Sequence, residues 1–426
     1  MLSTLRNAWK VPELKKRILW TLFFVAIFRM GNHIPVPGID TAQLSNFTKQ
    51  SGSLLNFYDL ISGGALSSFS IFAMGVVPYI NASIIMQLLT IGIPQLEQLS
   101  KEGEDGRRKI QNITRYAALV LGAIQSYGAY VLITKAGALK DYSNLNLATI
   151  LICLVAASTF LMWLGDQITV KGLGNGVSLI IFVNIISRLP QTAFKVAGFK
   201  SAQEATSIDV IVFILFTVLL LAASIILSLA ERRITVQYAG KSVGNKVYKG
   251  QTTHIPIGVI SSAVIAIIFA MSVMQFPKTI ADFFPGSWFD MVIANGKYSP
   301  FKHNSQLYAF VYAVLTIFFT WFYSQVTFKP EEMAENMNKS AGFIPGVRPG
   351  QATAKYIERI LDRLSIIGGA FAAIIALSPI VIDTLTPFKD LAFGGTALLI
   401  IVGVALDVMR QLESQLVMRH YHGFLK

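Results

Sequence analysis

The side chains best suited to catalysis or metal binding are few and widely scattered in this chain of 426 residues. The five histidines are His33, His254, His303, His420 and His422. None belongs to the HExxH pattern of zinc proteases, and the last two lie in the C-terminal tail. Cys153, which lies in an apolar run, is the single cysteine of the sequence. With only one cysteine, an intramolecular disulfide and a CxxC metal site are excluded. The sequence therefore predicts no catalytic residues, no metal site and no cofactor, and we do not expect an enzyme.

A glycine-rich stretch, GLGNG at 172–176, superficially resembles a phosphate-binding loop. It lacks the Gly-Lys-Ser/Thr ending of such a loop and follows no strand, so a nucleotide site is disfavoured. A tight turn, in which Asn175 or Ser178 caps the next helix, is the simpler interpretation.

Charged residues inside the apolar runs are also scarce. Asp166, Asp407 and Arg188 lie near the ends of such runs, and only Arg29 lies well inside one, where its long side chain can reach the interface. Ion-coupled transporters normally hold acidic residues or broken-helix ion sites near mid-bilayer. The pattern favours a passive channel over a secondary transporter for a small solute, and an intramembrane enzyme is a more distant alternative.

The composition is that of a polytopic membrane protein. Hydrophobic residues make up 53% of the chain and charged residues 14%, with a mean hydropathy of +0.56, whereas soluble domains carry about 25% charged residues. Apolar runs of about 20 residues, enough to cross a bilayer core, recur along the chain. They predict ten spans: 18–37, 73–93, 114–134, 147–167, 173–193, 209–230, 256–276, 307–328, 364–383 and 391–411.

Basic residues divide unequally between the two sides of these spans. Of the 36 Lys and Arg residues, 25 lie on the side of the N-terminus and 10 on the opposite side, with Arg29 in the first span. Cytoplasmic loops are enriched in Lys and Arg, so both termini are expected in the cytoplasm. The same rule explains the net charge of +13 without nucleic-acid binding. The basic segment 1–17 is expected to lie on an anionic lipid surface.

The stretch at 61–93 has an unusual polarity. Its first half is short and rich in Gly and Ser, and its second half is long enough to span, which suggests a segment that dips into the membrane and returns. On the spanning helix Ile80 and Ile84 share a face, beside a stripe of Ser83, Gln87 and Thr90. The stripe suits a helix that lines an aqueous path, and equally one whose polar side chains bond neighbouring helices. The helix taken alone favours the second interpretation.

Two basic loops carry more structure than simple connectors need. In 231–255, Ile234, Val236 and Tyr238 alternate with polar residues before a Gly-rich turn, which predicts a β-hairpin. In 329–363, Pro330 predicts a helix start, and two prolines and three glycines surround Arg348 on a stiff tip. Loops with such defined tips suggest docking of a large, partly anionic partner.

Six motifs together resemble those of the SecY family, the central subunits of bacterial protein-conducting translocons. They are FAMGVVPYINASII (72–85), EGEDGRRK (102–109), GLGNG (172–176), RRITVQYA (232–239), GFIPGVRPG (342–350) and FGGTALLI (393–400). Each motif is modest alone, but their order on matching spans is specific, and the likeness runs nearly end to end. The resemblance implies an all-α membrane protein with ten transmembrane helices. Two pseudo-symmetric five-helix halves, 18–193 and 194–426, would surround an hourglass pore.

The resemblance also implies a function and its residues. Such a channel translocates unfolded, signal-bearing polypeptides and releases transmembrane segments laterally into the bacterial cytoplasmic membrane. A ring at the waist would comprise Ile80, Ile84, Ile181, Ile268 and Ile400. A half-helix before the second span, at about 62–72, would act as a plug and would include Ser62, Gly63, Gly64, Ala65, Leu66, Ser67, Ser68 and Phe69. The lateral gate, between the second and seventh spans, would include Ser83, Gln87 and Thr90.

The implied partners are macromolecules. SecE and SecG would be companion subunits, and the SecA ATPase or the ribosome would bind Arg232, Arg233 and Arg348 on the loops 231–255 and 329–363. Signal-bearing preproteins would be the substrates, and anionic phospholipids would surround the complex.

The seventh span departs from the family pattern. Members of the family carry a polar gate residue and a helix-bending proline there, whereas this chain has Gly-Val-Ile at 258–260 and Ala-Val-Ile-Ala at 263–266. Ile265 therefore competes with Ile268 for the ring position, and altered gating is expected.

Overall fold

The structure is a computed structural model that describes residues 2–40, 62–66, 68–135, 137–201, 206–238, 241–243, 246–248, 252–259, 263–283, 287–293, 299, 301, 305–388 and 394–423. Its helices are α1 Leu2–Lys10, α2 Pro12–Gly31, α3 Val77–Gly92, α4 Pro94–Lys101, α5 Glu104–Lys135, α6 Asn144–Lys171, α7 Gly176–Ser201, α8 Ser207–Leu229, α9 Ala263–Phe283, α10 Trp288–Ile293, α11 Gln306–Phe328, α12 Pro330–Lys339, α13 Gln351–Ala376, α14 Ser378–Leu385 and α15 Gly395–Gly423. Its strands are β1 Glu231–Tyr238, β2 Lys241–Val243, β3 Lys246–Tyr248, β4 Thr252–Gly258 and β5 Gly342–Phe343.

The predicted ten-helix architecture is confirmed, because each predicted span overlaps a helix. The predicted first half contains α2, α3, α5, α6 and α7, and the predicted second half contains α8, α9, α11, α13 and α15. Within the described residues, six helices are individually long and apolar enough to cross a membrane: α6, α7, α8, α11, α13 and α15. The pair α3 and α4 passes the same test jointly, with a bend of 100° between them. In α9 the segment Ala263–Met274 is apolar but shorter than a full span.

Several helix ends are specified by local sequence. Proline occupies the first turn of α2, α3, α4 and α12, where its missing N–H leaves no hydrogen bond unmade. The helix predicted at Pro330 is thereby confirmed as α12. Ser143 Oγ accepts the backbone N–H of Asn146 at 3.3 Å and so caps α6.

The GLGNG stretch is the turn between α6 and α7, as predicted. Asn175 Oδ1 accepts the backbone N–H of Val177 at 3.1 Å, so Asn175 caps α7. Gly174 has a φ of +70°, which favours glycine, and its N–H donates to Gln411 Oε1 on α15. The turn therefore links the two halves of the molecule.

A small antiparallel sheet has the strand order β4-β1-β5. β1 pairs with β4 from Glu231 opposite Gly258 to Gln237 opposite Thr252, so the predicted hairpin is present. Its return strand is β4 rather than the expected Lys-Val-Tyr at 246–248, which pairs with β2 inside the predicted turn. β5 comes from the later loop and pairs with the other edge of β1, placing Phe343 opposite Gln237. The two loops are thus one structural unit.

The predicted start of the seventh span at 256 is wrong. Pro256 lies in β4 opposite Arg233, and the pairing continues to Gly258. The helix α9 begins at Ala263. An apolar run with β-branched residues suits a strand as well as a span, and here its first residues complete the sheet.

Three groups of buried apolar side chains position the functional regions. We define the waist cluster as Phe24, Phe28, Ala65, Phe72, Val76, Ala157, Leu161, Leu164, Ile168, Leu179, Ile180, Ile181, Ile185, Leu220, Ala397, Leu398, Ile400 and Val404. We define the gate cluster as Ile84, Ala263, Ala266, Ile267, Phe269, Ala270, Met274, Tyr308, Tyr312, Phe319, Ala372, Ile375, Ala376 and Leu399. The sheet unit comprises β1, β4, β5, α12 and the start of α13, with the core Ile234, Val236, Ile257, Met337, Ile344, Ile357 and Leu361.

Candidate functional site

Four of the five predicted ring residues meet at the waist cluster. Ile181 of α7 and Ile400 of α15 are 4% and 2% exposed and belong to it. Ile80 of α3 and Ile268 of α9 are partly buried and pack against it. These helices come from both halves of the molecule, so the cluster lies where the halves meet.

The fifth predicted ring residue, Ile84, lies one helical turn beyond Ile80 and belongs to the gate cluster. Ile80 packs against both clusters and so connects them. Ile265, the competitor of Ile268, packs against the gate cluster, whereas Ile268 packs against the waist cluster with Ile181 and Ile400. The geometry therefore favours Ile268 for the ring.

The waist contacts are made by branched aliphatic side chains, which carry no hydrogen-bonding groups. Helices joined in this way can separate without leaving a polar group unpaired. An empty constriction of this chemistry also disfavours a continuous water column. The arrangement can therefore close a pore and still yield to a passing chain.

The predicted plug residues lie directly beside the waist. Ala65 is fully buried in the waist cluster, and Phe69 is fully buried in a neighbouring cluster with Val36 and Leu139. The backbone at 62–66, 68–69 and 71–76 forms turns, and Ser70 forms an isolated β-bridge, so the half-helix expected from the resemblance is not observed in the described residues. Leu66 packs beside Phe69, Ser68 is exposed, and Ser67 lies outside the described residues.

The plug backbone is tied to the segment that follows α2. The N–H of Val36 donates to the carbonyl of Phe69 at 3.0 Å, and the N–H of Ile71 donates to the carbonyl of Ile34 at 2.9 Å. These bonds form around a short antiparallel bridge between Pro35 and Ser70. The C-terminal end of the plug is thereby fixed.

Sequence reasoning missed the polar surface under the other end of the plug. Gly63 and Gly64 lie against Asn184 and Arg188 of α7, and Asn184 is only 1% exposed. The signal was present in the sequence, because Asn184 and Arg188 are four residues apart and share a helix face.

The predicted gate helices α3 and α9 are in contact, with Ile84 packed among α9 residues of the gate cluster. Beside them opens a cavity of about 1200 Å³ between α3–α5 on one wall and α11–α13 on the other. Ser83, Gln87 and Thr90 all line this cavity. The cavity extends from Tyr79 on α3 to charged residues of α4 and α12 at its mouth.

The polar stripe on α3 is not explained by bonds to neighbouring helices. Thr90 Oγ1 donates to the carbonyl of Met86 in its own helix at 2.7 Å. Gln87 Oε1 is buried and has no hydrogen-bond partner among the residues that the structure describes. An unpaired acceptor beside a cavity suits a surface that receives a polar group when a ligand or segment enters.

Two ion pairs face each other at the cavity mouth. Lys101 and Glu97 are 2.7 Å apart on α4, and Lys329 and Glu332 are 2.8 Å apart at the start of α12. The hydrogen bond from Lys101 lowers the pKa of the Glu97 carboxyl, and the charge of Lys329 adds to the effect. The charged rim therefore contains both signs.

The three predicted docking arginines lie on the sheet unit and are exposed. Arg348 follows buried Ile344 and half-buried Val347, and its carbonyl accepts the Thr353 hydroxyl at 2.9 Å, so the tip is anchored. Arg233 is paired with Glu231 at 2.7 Å. Within the described part of the chain, Arg348 and Arg232 have no ion-pair partner. Of the three predicted docking arginines, Arg348 and Arg232 are therefore the two without an ion pair.

Within the described residues, no group of three or more His, Cys, Asp or Glu side chains is arranged to hold a metal ion. The candidate site thus consists of an apolar cluster, the adjoining predicted plug segment, a lateral cavity and a sheet unit that carries exposed arginines.

Comparison with known proteins bears on this architecture. The sequence profile of the SecY family matches residues 70–409. The protein translocase subunit SecY of Halalkalibacterium halodurans is 42% identical over 438 aligned positions, which cover 100% of both chains. The solved structure described as a protein conducting channel has a TM-score of 0.67 at 18% identity and covers 96% of each chain. Sec61 in the canine ribosome–channel complex has a TM-score of 0.60 at 17% identity, again covering 96% of each.

The fold and the site together define a multi-pass membrane protein of the protein-conducting channel class. At 17–18% identity the solved structures establish the fold only, whereas the full-length relative at 42% identity establishes the family. The chain belongs to the SecY family.

Proposed function

We propose that this chain is the central pore subunit of a bacterial Sec translocon. It is a passive channel that passes unfolded, signal-bearing polypeptides across the cytoplasmic membrane and releases transmembrane segments laterally into the lipid. Both termini and the sheet unit face the cytoplasm. The observation that carries the proposal is the convergence of Ile80, Ile181, Ile268 and Ile400, from both halves, beside Ala65 of the plug segment.

The lateral cavity supports the gating part of the proposal. Ser83, Gln87 and Thr90 form a polar wall that leads from the contact of α3 and α9 toward the charged mouth. A signal segment entering between these helices exchanges apolar contacts of the gate cluster for its own, so opening exposes little uncompensated surface.

The sheet unit supports the docking part. SecA or the ribosome binds Arg348 and Arg232, with Arg233 in a lesser role because Glu231 already pairs with it. A guanidinium can bind a carboxylate or a phosphate through two parallel hydrogen bonds. SecE and SecG accompany the chain in the membrane, and the basic segment 1–17 contacts anionic phospholipids.

The proposal is tested by reconstitution. The chain is purified with SecE and SecG, inserted into vesicles that contain anionic phospholipid, and supplied with SecA, ATP and a signal-bearing substrate. The expected result is protease-protected substrate that depends on ATP and on the signal. Co-purification with a small single-span subunit and with ribosomes is also expected. Transport of a small solute driven by an ion gradient, without protease-protected polypeptide, would instead identify a secondary transporter.

A further inference from the structure

The floor beneath the plug is polar, in contrast to the apolar waist beside it. Arg29 Nη1 of α2 donates to Ser187 Oγ of α7 at 3.0 Å. Asn32 Nδ2 donates to Asn184 Oδ1 at 3.4 Å, and both amide side chains are buried. α2 and α7 therefore join through side-chain hydrogen bonds directly under the plug segment.

Gly63 and Gly64 of the plug lie against this floor at very close range. A Cβ added to Gly63 would collide with the Asn184 side chain, and one added to Gly64 would collide with the Arg188 guanidinium. Both glycines have positive φ, +68° and +93°, which other L residues rarely adopt. The glycine pair thus brings the plug backbone down onto two polar side chains.

We propose that Asn184 and Arg188 form a polar latch that holds the plug in place by its Gly63–Gly64 pair. The proposal rests on the proposed function, because it takes residues 62–72 as the plug. Asn184 and Arg188 are positioning residues: they touch the plug and not the translocating chain. The apolar ring seals the pore, and the latch sets how readily the plug leaves it.

A buried amide next to the latch favours release of the plug. Asn32 Oδ1 is buried and has no hydrogen-bond partner among the described residues, so the closed arrangement leaves this amide oxygen unsatisfied. When the plug moves away, water reaches this amide and the cost disappears. The closed state is therefore held by contacts of Asn184 and Arg188 and opposed by the amide next to them.

The test uses a buried reporter on the plug. In the full chain with its partner subunits in vesicles, Cys153→Ser removes the native thiol and Ser62→Cys places one at a buried plug position. The labelling rate by a membrane-impermeant maleimide, supplied on both sides, then measures how often the plug leaves its seat. Asn184→Ala and Arg188→Ala are each expected to raise this rate about fivefold, the size of effect that one lost side-chain contact produces. Lys195→Ala, which removes an exposed charge further along α7, is the matched control and is expected to leave it unchanged.

Shape complementation provides a readout that general loosening of α7 would not give. Gly63→Ala alone should raise labelling through its collision with Asn184. The double variant Gly63→Ala with Asn184→Ala should label less than the sum of the two changes predicts, because the shortened side chain removes the closest contacts.

Two results would overturn the latch: parental labelling in both Asn184→Ala and Arg188→Ala, or strict additivity of Gly63→Ala and Asn184→Ala. A parallel arm separates this failure from failure of the proposed pore. If Ile84→Asn with Ile181→Asn raises resting ion conductance while the latch variants label at the parental rate, the pore stands and the latch falls. If that pair also stays tight with the plug removed, the pore assignment itself fails.

Discussion

The waist cluster and the core of the sheet unit are made of similar side chains but are held together differently. At the waist, Ile80, Ile181, Ile268 and Ile400 arrive on four separate helices and meet only through apolar contacts. In the sheet unit, buried side chains such as Val236 sit on strands whose backbones are hydrogen-bonded to one another. The waist helices can therefore separate without breaking hydrogen bonds between them, whereas the strands of the sheet unit cannot.

The difference follows from what separation would expose. Parting the waist helices exposes aliphatic surface, which costs about 25 cal/mol per Å² and is recovered when a hydrophobic segment fills the gap. Separating β1 from β4 or β5 would break backbone hydrogen bonds. It would leave backbone donors and acceptors unpaired beside a buried core. A region that must open is suited to the first construction, and a platform that must present Arg348 in one place is suited to the second.

The largest effect is expected where the rigid platform is broken. Val236→Asp places a carboxylate at a fully buried position of β1 and should cost roughly 3 kcal/mol or more, unfolding the sheet unit while the membrane helices remain inserted. Thr235→Asp, the adjacent exposed residue, should cost almost nothing. Limited proteolysis of the 231–258 and 329–350 loops measures the outcome. Equal protease resistance of the two variants would show that the platform does not depend on this core.

A smaller effect is expected when the platform stays folded but loses its cation. Arg348→Glu should reduce SecA-dependent translocation tenfold or more, since a central charged contact in an interface is worth about 2 kcal/mol. Lys at 348 should rescue poorly, because it offers a point charge rather than a fork. Arg359→Glu, a charge reversal on an exposed position of α13, is the control. Near-normal transport by Arg348→Glu would remove this residue from docking.

The waist should tolerate change better than the platform does, because its contacts are already separable. Changing Ile181 of the waist cluster and the predicted ring residue Ile84 of the adjoining gate cluster together to Asn should wet the constriction, raise resting ion conductance in planar bilayers and relax the demand for a strong signal sequence. Leu at both positions should do little, since volume and polarity stay close. If the double Leu variant and the double Asn variant leak ions equally, the seal depends on the shape of the isoleucine side chains rather than on the exclusion of water by apolar groups.

The smallest effect is expected on the exposed face of the platform. Lys339 donates to Glu335 on α12 and lowers the pKa of that carboxyl. A lowered pKa means that the stabilisation is present above the ordinary pKa of glutamate and is lost as pH falls through the lowered value. Glu335→Gln should therefore leave thermal unfolding of the sheet unit nearly unchanged between pH 6 and 8, with any difference from the parent vanishing in acid. A large loss of stability at pH 7 would mean that this surface pair matters more than exposed pairs do.

Features with a regular period were predictable from the sequence. Apolar runs gave the ten helices, and the alternation of Ile234, Val236 and Tyr238 gave the hairpin. β5 could not be predicted, because two residues, Gly342 and Phe343, are too few to show a period. The start of α9 was misplaced because the run at 256–260 fits a strand and a span equally well. The roles of the ring, plug, gate and docking residues came from the family resemblance and remain predictions.

Side-chain pairings across helices were beyond the sequence pattern. Asp166 was recognisable as a charge near a span end, but its partner is Arg115 on α5, at 2.6 Å. The latch residues Asn184 and Arg188 were visible as polar positions on one helix face, yet only the fold brings the Gly63–Gly64 pair over them. Spacing along one helix predicts which side chains share a face, and it cannot predict which distant segment covers that face.

The shared sheet also imposes an order on biogenesis. β1 and β4 can pair as soon as both have left the ribosome. The other edge of β1 stays unpaired until β5 is available, and β5 begins at Gly342, which is synthesised only after α11. A chain truncated before that point carries an incomplete sheet and lacks the tip that holds Arg348. The nascent protein therefore completes the predicted docking surface only after its eighth spanning helix has been made, so a half-built subunit does not present that finished surface.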